Sequence, residues 1–148
     1  MYNFPIVKIS YANEGTIWKP NKVTCSREAY EYLHSLYEPG QIGHIERFFI
    51  LLLNRNNMIL GAHLVSVGGV AGTVVDPKII FQTALLANAS AIVLCHNHPS
   101  GNLIPSQQDI DITNKLKSGA KFLDISVSDH IIIAPQGEYL SFADHGLM

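Results

Sequence analysis

Two stretches of this sequence are apolar at every position, and they constrain the fold more than any other feature. Phe48–Leu53 reads FFILLL, and Ala91–Cys95 reads AIVLC. Because successive side chains of a strand point to opposite faces, a strand with no polar face must be covered on both sides. The two stretches therefore predict central strands of a sheet that lies between two other layers.

The rest of the chain alternates between helical and extended patterns. Asp76-Pro77 places an N-cap before a first-turn proline, which is typical of a helix start. Caps and apolar spacing predict three helices, over Ser26–Tyr37, Pro77–Ala89 and Ser106–Ser118. Shorter apolar runs predict four more strands, over Ile59–Val67, Phe122–Val127, Ile131–Ala134 and Tyr139–Phe142. Helices interleaved with strands predict an α/β sandwich with a mixed, mostly buried sheet.

Length and composition favour a single domain over residues 1–148, in which residues 1–23 form an N-terminal extension to the main part, residues 24–148. Alternation at Val7, Ile9 and Tyr11 predicts a hairpin in that extension. The chain is 47% hydrophobic, enough for a core, and its two cysteines are too few for a disulfide framework. No stretch resembles a signal peptide or reaches the roughly 20 apolar residues of a membrane span. We therefore expect a soluble, cytoplasmic protein.

The charge of the chain weighs against nucleic acid as a partner. The net charge is −2 with seven histidines counted as neutral. Nucleic-acid binders usually carry a basic excess or a stripe of Lys and Arg. The densest basic group here, Lys115, Lys117 and Lys121, is modest, so nucleic-acid binding is not expected.

The strongest chemical signal is His96-x-His98 at the end of the second buried strand. Side chains two residues apart on an extended segment point the same way, so both imidazoles can converge on one point. In the next helix, Asp109 shares a face with Ile112, where an unpaired carboxylate would be costly. A cation held with the two histidines would satisfy Asp109, and so would a capping box with Ser106. The sequence leaves both interpretations open.

Two histidines and one carboxylate are a ligand set typical of catalytic zinc, because they leave one position for water. Zinc lowers the pKa of bound water to about 7, and hydrolysis then still needs a base to accept the proton. Glu46 is a candidate base because it shares a face with Phe48 and Ile50 at the start of the first buried strand. The alternative is an ordinary charge at a strand end.

Several blocks of the sequence resemble one family. Glu46, His96-x-His98 and Ser106-x-x-Asp109, with ten residues between His98 and Asp109, resemble the JAMM motif of JAB/MPN metalloproteases. More narrowly, the blocks HNHPSG, PS, DI and DHII, in that order along the chain, resemble the bacterial RadC family. The resemblance extends over residues 24–148.

This resemblance implies a cytidine-deaminase-like α/β/α fold of the JAB/MPN type. It implies a zinc ion on His96, His98 and Asp109, with Glu46 as the general base. It also implies that the Ser106 hydroxyl helps to stabilise the oxyanion of a tetrahedral intermediate, in addition to capping the helix.

The function that the resemblance implies is zinc-dependent hydrolysis of an amide bond in a peptide or isopeptide-linked protein. JAB/MPN relatives cleave such bonds, commonly next to ubiquitin-like tails. A non-catalytic binding module and a DNA repair-associated protein are the alternatives, the latter from the traditional label of RadC proteins. Longer RadC proteins carry a helix-hairpin-helix segment, which we do not expect within the 23 residues before the matched region. A zinc nucleobase deaminase would need H-x-E with P-C-x-x-C, and both motifs are absent.

Three other features receive weaker interpretations. Asn97 is expected to point away from the metal and to fix a loop. His130 is expected to be structural, with a place near the site as the alternative. The Gly68–Gly72 loop lacks a phosphate-binding motif, so it is expected to form a tight turn or to line a substrate groove.

Overall fold

The computed structural model describes residues 22–69 and 72–148, so the predicted N-terminal hairpin and the centre of the glycine-rich loop lie outside the described residues. Eight elements follow one another along the chain. They are α1 Ser26–His34, β1 Arg47–Leu53, β2 Ile59–Val67, α2 Pro77–Leu86, β3 Ala91–Asn97, α3 Gln107–Lys121, β4 Ser126–Ile133 and β5 Tyr139–Ser141.

The five strands form one mixed sheet in the order β2-β1-β3-β4-β5. β3 and β4 are parallel, whereas the other neighbouring pairs are antiparallel. α3 provides the crossover between the parallel strands, which is the usual role of a helix in such a connection. The predicted α/β class and the predicted mixed sheet are confirmed.

Successive side chains of β1 enter two different apolar clusters. Phe49 and Leu51 pack on the side that carries α1, whereas Phe48 and Ile50 pack on the side of α2 and α3. All seven residues of β3 are buried. Helices thus cover both faces of the central strands, as the wholly apolar stretches require.

The predicted strand Phe122–Val127 is wrong. α3 continues to Lys121, Phe122 ends it with a side chain that is 91% exposed, and Asp124 turns the chain at φ 53°. One strand, β4, then replaces the two short strands expected around Asp129. Asp129 can lie within β4 because its carboxylate accepts hydrogen bonds from His130, Ser141 and Ala143.

Other differences concern the ends of elements. α1 and α2 stop three residues before their predicted ends, and β3 continues two residues further, through His96 and Asn97. Cys95 is buried and Cys25 exposed, and both are free thiols. Among the helices in the described ranges, none combines the length and the apolar character needed to cross a membrane.

Candidate metal centre

His96, His98 and Asp109 meet where β3 ends and α3 begins. His96 Nε2 lies 3.1 Å from Asp109 Oδ1 and 2.9 Å from His98 Nε2, and His98 Nε2 lies 3.5 Å from Asp109 Oδ2. One ligand atom from each residue lies within 4.8 Å of the others, a grouping that could hold a metal ion. His96 is 1% exposed, whereas His98 and Asp109 are half-buried and open toward a cleft.

The hydrogen bonds of the two imidazoles fit a metal ion at this place. Each ring uses Nδ1 for a protein partner: His98 Nδ1 contacts the carbonyl of Asn102, and His96 Nδ1 contacts His130. Both Nε2 atoms are therefore left to face the Asp109 carboxylate. Imidazole and carboxylate are ligands that zinc prefers, and partners on the second ring nitrogen are usual for zinc-bound histidines. The chemistry of the donor set thus agrees with a zinc site.

Asp109 is both a helix cap and a member of the cluster. Ser106 Oγ accepts a hydrogen bond from Asp109 N, and Asp109 Oδ2 accepts one from Ser106 N, which completes a capping box. Asp109 Oδ1 meanwhile faces His96. A carboxylate has two oxygens, so the two interpretations that the sequence leaves open are compatible.

The short distances among these side chains change the pKa values of Asp109 and His98. Burial alone would raise the pKa of Asp109, but the polar contacts of its carboxylate with His96, His98 and Ser106 outweigh burial and hold that pKa far below its usual range. The hydrogen bond with Asp109 in turn raises the pKa of His98. The carboxylate is therefore ionised at neutral pH, as a metal ligand must be.

We expect Ser106→Ala to lower the free energy of unfolding of the metal-free protein by about 1 kcal/mol, because it removes an N-cap. Urea denaturation measures the loss. Ser118→Ala is the matched control, since the Ser118 hydroxyl lies on the same helix, is exposed, and bonds only a carbonyl four residues before it. A Ser106→Ala variant no less stable than Ser118→Ala would refute the capping role.

Glu46 lies beside the cluster, directly before β1. Phe48 pairs with His96 in antiparallel register, so two residues earlier the chain brings Glu46 next to His98. Burial raises the pKa of Glu46, while the nearby His96 and His98 act to lower it. The carboxylate is thus half-buried and electrostatically coupled to the cluster without being one of its three close members.

Two sets of contacts fix the backbone around Glu46. On one side, Glu46 exchanges backbone hydrogen bonds with Gly68 and Gly69, of 2.9 and 3.3 Å. A side chain at Gly68 would meet the carbonyl oxygen of Gly72 at 2.1 Å, so the close approach of the loop requires glycine there. Gly68 and Gly69 therefore hold the backbone of Glu46, and Gly69 in turn bonds Gly72.

Asn97 provides the second set of contacts. It is fully buried, its Oδ1 accepts from Arg47 N at 2.8 Å, and its Nδ2 donates to the carbonyls of Ile42 and Ile45. The side chain between the two histidines therefore fixes the segment that carries Glu46. The expectation that Asn97 fixes a loop is confirmed.

We expect Asn97→Ala to lower the free energy of unfolding by about 1–3 kcal/mol, because it leaves three partly buried backbone groups without their partner. Chemical denaturation with urea measures this loss. Asn114→Ala, at an exposed position of α3, is the control and should change stability little. Equal stability of the two variants would show that Asn97 does not hold the segment before β1.

His130 lies next to the cluster, a place that the sequence pattern hardly indicates. His130 Nε2 is 2.8 Å from His96 Nδ1, and the ring is fully buried. Its place follows from the parallel pairing of β4 with β3, which sequence patterns do not reveal. Burial holds the pKa of His130 well below its usual value.

A cleft of about 550 Å³ opens over the cluster. Glu46, His98, Ser106 and Asp109 line it together, which brings the predicted base, two predicted ligands and the predicted oxyanion donor to one cleft. Val74 and Ile104 line the same cleft and are 89% and 74% exposed. His96 lies behind His98, in the protein interior.

Comparison with known proteins identifies the family. A family model described as RadC-like JAB domain matches residues 23–147. A UPF0758 protein of Flavobacterium johnsoniae is 40% identical over 131 residues, which are 88% of this chain and 56% of the relative. A UPF0758 protein of Porphyromonas gingivalis is 44% identical over 103 residues, 70% of this chain and 45% of the relative. A UPF0758 protein of Pelobacter propionicus is 40% identical over 128 residues, which are 86% of this chain and 54% of the relative.

The chain spans about half the length of the curated relatives it matches. The match nevertheless includes β1 to β5, all three helices and the whole His-His-Asp cluster. The mixed sheet between helical layers and the cluster at the end of β3 agree with it. The chain therefore belongs to the RadC-like JAB domain family.

Proposed function

We propose that this protein is a zinc-dependent hydrolase that cleaves an amide bond of a peptide or an isopeptide-linked protein. The observation that carries the proposal is the position of Glu46. Its half-buried carboxylate lines the same cleft as His98 and Asp109, outside the three-ligand group. A binding module that used the metal only for structure would have no need of a carboxylate there.

His96, His98 and Asp109 would hold the zinc ion. When bound there, zinc would supply a Lewis acid that makes water more acidic. Glu46 accepts a proton from water and passes it to the leaving amine. Burial raises the pKa of Glu46, so this pKa lies nearer to neutral pH than the pKa of an exposed glutamate. A pKa nearer to neutral favours both the uptake of the proton from water and its release to the amine.

Ser106 has two roles in this proposal. Its hydroxyl donates to Asp109 Oδ2 at 2.7 Å, which orients the carboxylate. The hydroxyl is exposed and lines the cleft, so rotation about its C–O bond can direct the same proton toward a substrate oxygen. Such a donor stabilises the negative charge that develops on a carbonyl oxygen under attack.

The walls of the cleft favour a polypeptide over a nucleic acid. The described residues that line it include no Lys or Arg, so nothing there would neutralise a phosphate. The exposed Val74 and Ile104 offer apolar contacts, which suit side chains of an extended peptide. The proposed substrate is therefore a protein or peptide, with DNA as the disfavoured alternative.

A paired screen tests the proposal. Zinc-loaded and chelator-treated protein are each incubated with a mixed peptide library, a set of lysine isopeptides, and duplex and single-stranded DNA. We expect new amine and carboxyl ends in peptide or isopeptide only with the zinc-loaded protein. Cleavage of DNA alone would contradict the proposed substrate class. Peptide capture without cleavage would favour the binding module.

A further inference from the structure

A line of side-chain contacts leads from His96 into the core and returns to the helix that carries Asp109. His96 Nδ1 lies 2.8 Å from His130 Nε2, and His130 Nδ1 lies 2.7 Å from Thr113 Oγ1. Thr113 Oγ1 lies 2.6 Å from the backbone oxygen of Asp109. All three side chains are at most 1% exposed. The cleft chemistry described above uses neither His130 nor Thr113.

The chemistry of the four groups determines the direction of every hydrogen bond in this line. A carbonyl oxygen only accepts, so the single hydroxyl proton of Thr113 points to Asp109 O. The hydroxyl must then accept from His130, which places a proton on His130 Nδ1.

The other nitrogen of His130 faces His96. A second proton there would make a buried cation whose two ring nitrogens face a hydroxyl and another imidazole, with no anion among these partners. His130 Nε2 is therefore an acceptor, and His96 Nδ1 must donate to it.

We propose that Thr113 and His130 are positioning residues that set the tautomer of His96, so that its Nε2 presents a lone pair to the metal. This inference rests on the zinc site of the proposed function. It adds to that site the contacts that keep the buried ligand His96 in the tautomer that can bind the metal. The Asp109 carbonyl oxygen, at the far end of the line, fixes the direction of all three hydrogen bonds. One residue thus provides a ligand through its side chain and orients another ligand through its backbone.

The surroundings of His130 support this role. Phe142 lies against its ring with centroids 4.6 Å apart, and Phe48 packs on both His130 and His96, at 5.7 and 5.8 Å. Aromatic rings on these sides leave the two imidazoles few polar partners besides each other. His98, by contrast, is half-buried and donates directly to the carbonyl of Asn102. The buried ligand alone needs intermediate groups to reach a backbone acceptor.

Thr113→Val tests the proposal because it keeps the side-chain shape and removes the hydroxyl. His130 then loses its acceptor at Nδ1 and can take the other tautomer, with the proton on Nε2. We expect zinc affinity, measured by competition with a chromophoric chelator, to fall about 10–100-fold, the usual effect of removing an outer partner of a ligand. We expect nitrogen NMR of the metal-free variant to show the proton of His130 moved toward Nε2.

Two variants serve as controls. Thr113→Ser restores the hydroxyl and should recover both zinc affinity and the His130 tautomer. Thr83→Val makes the same change in α2, where the Thr83 hydroxyl bonds a carbonyl four residues earlier and contacts no histidine. It should match the wild type in both measurements.

Two results would overturn the proposal. One is zinc affinity of Thr113→Val equal to that of Thr83→Val, and the other is a fall in affinity with the His130 tautomer unchanged. If Thr113→Val does not fold, the wild type decides, because a proton on His130 Nε2 contradicts the proposal and a proton on Nδ1 supports it. Neither measurement depends on hydrolysis, so failure of the proposed enzymatic activity is seen separately.

Discussion

Glu46→Gln should slow hydrolysis of any substrate found in the screen by about 10²–10⁴-fold, the usual contribution of a general base. The amide has the shape of the carboxylate but cannot accept a proton from water. Zinc content should stay at the wild-type level, because Glu46 is not one of the three clustered ligands. The measurement is the rate on one substrate together with metal analysis of the same sample.

The control for this variant is Glu38→Gln, which makes the same change at an exposed position outside the cleft. Its rate and its zinc content should both equal those of the wild type. Normal turnover by Glu46→Gln would contradict the catalytic assignment. Loss of zinc from Glu46→Gln would instead make Glu46 a ligand and remove it as the base.

Asp109→Ala should weaken zinc binding by at least about 100-fold. This is more than the loss expected when a residue that only hydrogen-bonds a metal ligand is removed. The side chain provides the only anionic group among the three clustered ligands. Asp109 also belongs to the capping box, so its removal should lower the free energy of unfolding of the metal-free protein by about 1 kcal/mol as well. Zinc affinity is measured by chelator competition and stability by urea denaturation of the metal-free protein.

Ser106→Ala separates the two effects of Asp109. It removes the cap and keeps the carboxylate, so it should lose similar stability and retain measurable zinc binding. If Asp109→Ala and Ser106→Ala bound zinc equally well, Asp109 would be only a cap. His96→Ala and His98→Ala should resemble Asp109→Ala in zinc affinity.

The elements that sequence reasoning predicted well are those for which one structure satisfies the pattern. A run such as Phe48–Leu53 has no polar face, and only a strand covered on both sides buries it. The convergence of His96 and His98 follows equally directly from the period of a strand. These features are local, so they do not depend on which strands pair.

The features that sequence reasoning missed depend on tertiary contacts. Asp129 lies between the predicted strands Phe122–Val127 and Ile131–Ala134, but its carboxylate is satisfied by groups from β4 itself, from β5 and from the chain after β5. Once β4 is continuous, its parallel pairing with β3 places His130 beside His96. Thr113 cannot be identified from the sequence, because a threonine within a helix gives no signal of a histidine partner on another element.

Asp109 shows a different difficulty. In the sequence, a capping box and a metal ligand are two alternative interpretations of this aspartate. In the structure, Ser106 bonds Oδ2 while Oδ1 faces His96. A residue type with two acceptors can satisfy two local patterns at once, so the sequence pattern alone could not choose between them.

Titration of zinc into the metal-free protein, with hydrolysis followed on one peptide or isopeptide substrate, tests the central claim most directly. We predict that the rate rises in proportion to bound zinc and levels off at one ion per chain. We also predict that Asp109→Ala stays inactive at the same zinc concentrations. A rate that was independent of zinc, or one zinc per chain bound without any hydrolysis of substrates cleaved by the untreated protein, would contradict the claim.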